Sequence, residues 1–156
     1  MRHKISLCAQ EPRFTPLDNE FLASLGVTVL NSPGSLEHIG DDSFIYVPSL
    51  EWSTETPYRE KAVGSPLYIT SDMEYVIDEA EREQRVSLRE GLFESAVRSI
   101  KSAKAILDTH DKYKLPDFEH SDALRSLTIY VLKAAEDGGH DNDKLEVADR
   151  PDTTTT

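Results

Sequence analysis

The sequence has little of several features that define large protein classes. It contains a single cysteine, Cys8, so no intramolecular disulfide can form and a reducing compartment is the simple interpretation. Lys and Arg number 17 against 29 Asp and Glu, which gives a formal net charge of -12 at pH 7. Because phosphate binding needs clustered basic side chains, this charge argues against nucleic acid, and against an anionic membrane surface, as the main partner.

Long apolar runs are missing as well. No stretch approaches the roughly 20 apolar residues that cross a bilayer, and the apolar run after the basic N-terminus is too short for a secretory signal. We therefore expect no membrane partner and a cytoplasmic location, with the nucleus as a second one. Hydrophobic residues make up 38% of the chain, which predicts that part of it stays outside the core.

Recurrent catalytic and cofactor motifs are not found: there is no G-x-G-x-x-G, P-loop, H-E-x-x-H or EF-hand loop. We expect no cofactor and no metal, and we favour a non-catalytic protein while leaving an enzyme open. Asp41-Asp42 is interpreted as a solvated turn, and His110 and His120 as surface residues, because their spacings fit no zinc pattern. Cys8 lies in an apolar run and is expected to be buried and inert.

Short apolar segments alternate with turn residues in the first part of the chain. Pro16 to Leu25 has helical spacing, with Thr15 as N-cap and Gly26 as the stop. Strand-like segments lie on both sides of it, at residues 5–9, 27–30, 43–47 and 66–70. Strand–helix–strand alternation is typical of parallel βαβ units. The predicted fold class is α/β: a Rossmann-like half sheet of about four mainly parallel strands followed by C-terminal helices.

The pattern changes after residue 70. A capping box at Ser71 and Glu74 opens a helix, and apolar residues spaced by three and four predict an amphipathic helix over 92–107, with Gly91 as a break. A last helix is predicted from Ser121 to Ala135. The predicted organisation is an α/β half-domain over 1–80, a charged and amphipathic helical extension over 81–136, and a disordered acidic, Thr-rich tail over 137–156.

Three segments carry a family resemblance: Gln10-Glu11-Pro12-Arg13-Phe14, Ser43-Phe44-Ile45-Tyr46-Val47-Pro48 and Leu67-Tyr68-Ile69-Thr70-Ser71-Asp72. Together they resemble the SRR-like domain family (sensitivity to red light reduced), over about residues 3 to 80. Pro48-Ser49-Leu50-Glu51-Trp52 resembles fungal members, and the match is to the C-terminal half of the domain.

The resemblance implies regulatory roles in light and clock signalling and in haem metabolism, with no settled enzymatic activity. Two departures from the family pattern limit which residue roles can be carried over from the family to this chain. Many members carry Pro-His-Cys after the third strand, where this chain has Pro48-Ser49-Leu50. Longer members also have an upstream half with a Gly/Ser-rich turn, and this chain starts at the strand that follows it. No catalytic residue is therefore carried over.

Six residues are the candidates for ligand binding, because they follow the carboxyl ends of two predicted parallel strands, where open α/β sheets bind ligands. Arg13 would pair with an anion, Glu11 and Glu51 would accept hydrogen bonds, and Trp52 would cover a ring. Loop packing is the competing interpretation. The candidate residues are Gln10, Glu11, Arg13, Pro48, Glu51 and Trp52.

Two functions remain open, beside a third interpretation in which the chain is a degenerate or truncated paralogue with little activity of its own. The first is a non-catalytic regulatory or protein-interaction protein, in which a protein partner or a homodimer completes the half sheet by covering its free edge. The second is a small-molecule or nucleotide-binding enzyme that uses the strand-end pocket. The charged residues from Asp78 to Glu94 are interpreted as a solvated helix rather than a partner-binding arm.

Overall fold

The computed structural model describes residues 5–48, 50–86, 90–116 and 127–134. It confirms the predicted α/β class. All four predicted strands form, each slightly shorter than the apolar segment that predicted it or shifted by a residue. They are β1 (Leu7–Ala9), β2 (Val27–Val29), β3 (Phe44–Tyr46) and β4 (Leu67–Ser71).

The strands divide into two sheets. β1 pairs with β2 in parallel, with Leu7 opposite Val27. The second sheet has the order β3-β4-β6-β5, where β5 is His110–Lys114 and β6 is Leu127–Leu132. β3 and β4 are parallel, whereas β6 runs antiparallel to both β4 and β5. The sheet that contains the core is therefore mixed rather than mainly parallel.

The C-terminal strand corrects one prediction. Residues 127–132 form β6, not the end of a helix from Ser121 to Ala135. Leu-Thr-Ile-Tyr-Val-Leu satisfies both helical and strand spacing, and its β-branched and aromatic residues favour the strand once β4 offers a partner. The first part of the predicted helix, residues 121–126, and the predicted tail at 137–156 lie outside the described residues.

In the described parts of the chain, four α-helices connect the strands: α1 (Pro16–Ser24), α2 (Trp52–Ala62), α3 (Met73–Val86) and α4 (Glu90–Thr109). Thr15 caps α1 as predicted. Its hydroxyl accepts from the Asp18 N–H, and Asp18 accepts in return. Gly26 follows α1 with φ +78°, a backbone conformation that glycine adopts without steric cost.

The start of α3 differs from the predicted capping box. Ser71 is the last residue of β4, and the Asp72 carboxylate accepts from the Glu74 N–H at 3.0 Å. A carboxylate fills the capping role as well as a hydroxyl does.

The core lies on one face of the four-stranded sheet. Helices α2, α3 and α4 all contribute to it, with α3 packed along α4 and α2 packed against α4. The sheet presents Ile45, Tyr68 and Tyr130 in one row across β3, β4 and β6. The buried helix residues are Ala62, Met73, Val76, Ala103 and Ile106.

The opposite face of this sheet is apolar too. The strand register places two rows of side chains there, because residues paired across neighbouring strands point to the same face. One row is Phe44, Leu67 and Val131, and it ends at Asp111. The other row is Tyr46, Ile69, Ile129 and Tyr113. We call the seven apolar residues of these rows the open sheet face.

Two sequence predictions about single residues are wrong. Cys8 is exposed rather than buried, because none of the described helices or strands covers β1 on that side. His110 is buried rather than on the surface. Its ring nitrogens lie 2.9 Å from the Ser65 carbonyl oxygen and 2.8 Å from the Thr109 hydroxyl, so the fold satisfies both. Within the described segments, no helix is long and apolar enough to cross a membrane.

Candidate functional site

A buried polar cluster lies between α2, α4 and β4. Its centre is Glu55, whose side chain is fully buried. The hydroxyls of Tyr68 and Thr70, on β4, both donate to Glu55 Oε1. The guanidinium of Arg59, one helical turn further along α2, places Nη1 3.3 Å from Glu55 Oε2. That pair is close enough for charge attraction but is not aligned as a hydrogen bond.

The remaining donors of Arg59 are used within the protein. Nη2 donates to the Trp52 carbonyl at 2.6 Å and to the Thr56 hydroxyl at 2.9 Å. The same nitrogen and Nε reach the hydroxyls of Ser99 and Ser102 on α4. Arg59 thus ties the first turn of α2 to α4, while Glu55 ties α2 to β4.

Burial sets the charge balance of this pair. Burial raises the pKa of Glu55. The charge of Arg59 and the hydrogen bonds from Thr70 and Tyr68 offset only part of this rise. Burial also lowers the pKa of Arg59 despite the attraction of Glu55. The pKa of Tyr68 rises well above its usual range, again through burial and the neighbouring carboxylate. Desolvation therefore outweighs the mutual attraction in both partners, as is common for buried ion pairs.

This cluster stabilises the packing and has no surface that a substrate can reach, because Glu55, Arg59 and Tyr68 are all fully buried. Sequence reasoning missed it. A Glu and an Arg four residues apart on a polar helix look like an exposed pair, and only the tertiary packing of α2 under α4 distinguishes the two cases. The single available signal is the absence of an apolar stripe in α2, which leaves its buried face to polar residues.

Among the predicted ligand residues, Gln10 is the one that joins separate parts of the chain. Its side-chain amide follows β1 and donates to the Tyr58 hydroxyl of α2 at 3.1 Å. Its amide oxygen accepts from the Ser35 N–H at 2.9 Å, in the 3₁₀ helix at Gly34–His38. The Ser35 and Tyr58 hydroxyls are 3.1 Å apart and complete a triangle. These contacts connect the β1–β2 unit to the helices over the larger sheet.

The other five candidates are not gathered around Gln10. Glu11 and Arg13 are exposed, and Glu11 accepts from the Arg13 N–H at 3.0 Å within their own turn. Pro48 and Glu51 are exposed at the start of α2, where Glu51 accepts from the Ser53 hydroxyl. Trp52 is half-buried and packs against the core. Their role in ligand binding stays a prediction.

A groove lies elsewhere on the carboxyl edge of the larger sheet. It has a volume of about 340 Å³ and is lined by Asp72, Glu74, Tyr75, Asp78 and Lys114. Beside it, Lys112 Nζ donates to Asp72 at 2.9 Å and to Glu74 at 2.7 Å. Burial lowers the pKa of Lys112, but its hydrogen bonds to Asp72 and Glu74 and the charge of Asp72 outweigh this effect and raise the pKa overall. Burial also raises the pKa of the nearby Tyr130 hydroxyl to about 12.

A second groove, of about 410 Å³, runs between α2 and α4. Its charged residues are partly occupied with each other, because Arg98 Nη2 is 2.7 Å from Glu60 Oε2. Neither groove is lined by the six predicted ligand residues. In the part of the chain that the structure describes, no three His, Cys, Asp or Glu side chains are grouped to hold a metal ion.

Comparison with known proteins decides the family. The family model of the SRR1 domain matches residues 1–131. The chain belongs to the SRR1 family. The match confirms the resemblance found in the three segments and extends further toward the C-terminus, through β5 and most of β6.

Other comparisons add little about this SRR1-family protein. No curated protein matches it. Among solved structures, it is similar to the crystal structure of an SAH-bound methyltransferase, PaMTH1 from Podospora anserina, with a TM-score of 0.42 and 10% sequence identity. The alignment covers 81% of this chain and 59% of that chain, so the SRR1-family chain spans less than two thirds of that structure's length.

Proposed function

We propose that this SRR1-family chain is a non-catalytic protein-interaction module with a regulatory role, and that the open sheet face is its binding surface. One observation carries the proposal: this face combines apolar side chains from all four strands, and those on β3 and β5 are more than half exposed. Phe44 is 64% exposed, Tyr46 51% and Tyr113 55%.

Such exposure is unusual for this architecture. Sheets with parallel strands normally have both faces covered, whereas sheets that leave one face in water alternate apolar and polar residues along each strand. Here β3 and β6 place Ile45 and Tyr130 in the core, and they still place apolar residues on the other side. Contiguous apolar patches of this kind mark protein interfaces.

The polar chemistry of the chain supports an interaction role over catalysis. Glu55 and Arg59 form a carboxylate–guanidinium pair that is fully closed to solvent, whereas the other Arg–Glu pairs in the described residues are open to solvent. The net charge of -12 favours a protein partner over nucleic acid or an anionic membrane. The proposed location is the cytoplasm, with the nucleus as a second site.

Site-specific photo-crosslinking in cells tests this proposal. A photoreactive amino acid at Tyr113 places the probe on the open sheet face, and the matched control places it at Lys104, which is exposed on α4. We expect covalent protein adducts from position 113 and few from position 104. Equal yields at both positions, or no adduct at 113, would contradict the proposal.

A second candidate function is a small-molecule or nucleotide-binding enzyme at the strand ends. The observation that favours it is the half-buried Gln10 amide beside Tyr58 and Ser35, with the exposed Arg13 in the adjoining loop. A thermal-shift screen with nucleotides, flavins, tetrapyrroles and sugar phosphates tests it. Stabilisation that disappears in Arg13→Ala and Trp52→Ala would favour the enzyme, and a screen without any shift would count against it.

A further inference from the structure

A second uncovered apolar surface lies in the N-terminal part of the chain. Helix α1 has no buried residue. Leu17, Phe21 and Leu25 follow one another at intervals of four residues and form a stripe along the helix and its C-cap, which we call the helix stripe. Leu17 is 74% exposed and Phe21 62%.

From these two surfaces we propose that the partner of the open sheet face is a second copy of this chain, whose α1 packs its helix stripe against that face. The inference rests on the proposed function and names its partner. A helix stripe on an apolar sheet face is the contact by which α/β layers bury their surfaces. Each copy of the chain carries both a helix stripe and an open sheet face, and both surfaces have exposed apolar side chains.

Two-fold symmetry favours a second copy of this chain as the partner that covers the open sheet face. In a two-fold dimer each helix stripe covers the partner's open sheet face, so one arrangement buries four surfaces and closes on itself. A different protein that covered only the open sheet face would leave the helix stripe exposed.

The available area fits a stable dimer. A large side chain buries about 150–250 Å², so the exposed parts of Phe44, Tyr46, Tyr113 and Val131 offer about 400 Å² and those of the helix stripe about 350 Å². The total of about 750 Å² for each copy approaches the roughly 800 Å² per partner of a standard interface.

Charge predicts the salt dependence of this dimer. Each copy carries a net charge of -12, so two copies repel each other at low ionic strength. Raising the salt from about 0.05 to about 0.5 M screens that repulsion and strengthens apolar association. A partner held by basic side chains would show the opposite trend.

Light scattering and sedimentation of the full chain provide the first test. We expect a species of twice 17.5 kDa that grows with protein concentration and with salt. Phe21→Lys and Tyr46→Lys should each shift the mass to the monomer. Phe93→Lys, which changes an exposed aromatic residue on α4, should leave the dimer intact. A wild-type chain that stays monomeric at high concentration and high salt would overturn the inference.

Mixing the two variants tests the pairing of helix with sheet. Phe21→Lys keeps an intact sheet face and Tyr46→Lys keeps an intact helix stripe, so their mixture contains one complete helix–sheet contact while neither variant alone contains any. We expect the mixture to form dimers more strongly than either component. A mixture no stronger than its components would contradict this pairing, even if the wild type is a dimer. Circular dichroism should show that both variants are folded.

A photoreactive amino acid at Phe21, in a mixture of isotopically light and heavy chains, separates this inference from the proposed function. Adducts between light and heavy chains that map to β3, β4 or β6 would support the second copy. A monomer whose position 113 still crosslinks to another protein in cells would overturn the second copy and leave the interaction module standing. A monomer without any adduct at 113 would overturn both.

Discussion

The β1–α1–β2 unit and the four-stranded sheet with its helices are built from similar apolar residues but bury them to different extents. α1 has no buried residue, and β1 and β2 reach intermediate burial at most. In contrast, Tyr68, Met73, Ala103 and Ile106 are fully buried in the larger unit. The difference teaches that secondary structure is set locally, by caps and turns, while burial depends on a second layer. Among the described residues, only the larger unit has such a layer.

The same comparison indicates which of the two units contributes most to the free energy of unfolding. Three helices cover one face of the larger sheet, and the Glu55–Arg59 cluster ties two of them together and to β4. The smaller unit is attached to this body through Gln10, Ser35 and Tyr58. We therefore expect substitutions in the larger unit to change the free energy of unfolding, and substitutions in α1 to change association instead.

The largest effect is expected at Arg59. Arg59→Ala leaves the Glu55 carboxylate buried without its counter-charge and should lower the free energy of unfolding by about 3–5 kcal/mol. The double variant Glu55→Leu with Arg59→Met should recover most of that loss, because no buried charge remains. Urea denaturation measures both. Arg98→Ala, which breaks an exposed pair with Glu60, is the matched control and should change the free energy of unfolding far less than Arg59→Ala does.

A similar loss from Arg59→Ala and Arg98→Ala would contradict the distinction between buried and exposed charge in this helix pair. A double variant as unstable as Arg59→Ala would show that the cluster's hydrogen bonds, rather than the uncompensated charge, dominate.

Cavity formation distinguishes the two units directly. Ile106→Ala removes a fully buried side chain and should cost about 2–5 kcal/mol. Phe21→Ala removes a larger side chain from the surface of α1 and should change the unfolding free energy of the monomer by less than about 0.5 kcal/mol. Thermal or urea unfolding of dilute protein measures both. A loss above about 2 kcal/mol for Phe21→Ala would mean that α1 is packed in the monomer.

The dependence of stability on pH should be smaller and has a definite sign. Burial raises the pKa of Glu55, so the folded protein takes up a proton at a pH where the unfolded chain has not yet done so. The contribution of Glu55 to stability is full below the ordinary carboxyl value of 4.5 and is lost as the pH rises through the raised value.

Wild type should therefore gain stability relative to Glu55→Gln as the pH falls from about 7 to about 5. Denaturation of both proteins across this range tests the sign. A difference that shrinks as the pH falls would contradict the raised pKa.

The smallest effect concerns the cap of α1. The backbone N–H and hydroxyl of Thr15 both donate to Asp18, and these hydrogen bonds lower the pKa of its carboxyl group. Thr15→Ala removes the hydroxyl but keeps the backbone N–H, so it should move the pKa of Asp18 part of the way back toward 3.8 and fray the first turn of α1 without altering the larger unit. Carbon-detected NMR titration measures the shift. An unchanged Asp18 pKa in the variant would contradict the cap.

Much of the smaller unit could be predicted from local signals. Thr15, Pro16 and Gly26 set the limits of α1, and the β-branched residues of β2 identify the strand. The family resemblance was also readable from short segments between Gln10 and Asp72. These features depend on neighbours in sequence, which is why reasoning from sequence reached them.

The missed features depend on contacts between distant residues. The apolar spacing of residues 127–132 fits both a helix and a strand, and only their pairing with β4 selects the strand. Glu55 and Arg59 carry no sign of burial in their own helix, because the residues that bury them come from β4 and α4. His110 likewise becomes a core residue only through Ser65.

Hydrogen exchange at two protein concentrations tests the central comparison most directly. In dilute protein, peptides from α1 should exchange far faster than peptides from α4 and β6, because α1 has no buried residue while the other two contribute to the core. At high concentration α1 should become protected, with α4 and β6 unchanged. Protection of α1 equal to that of α4 in dilute protein would contradict the account.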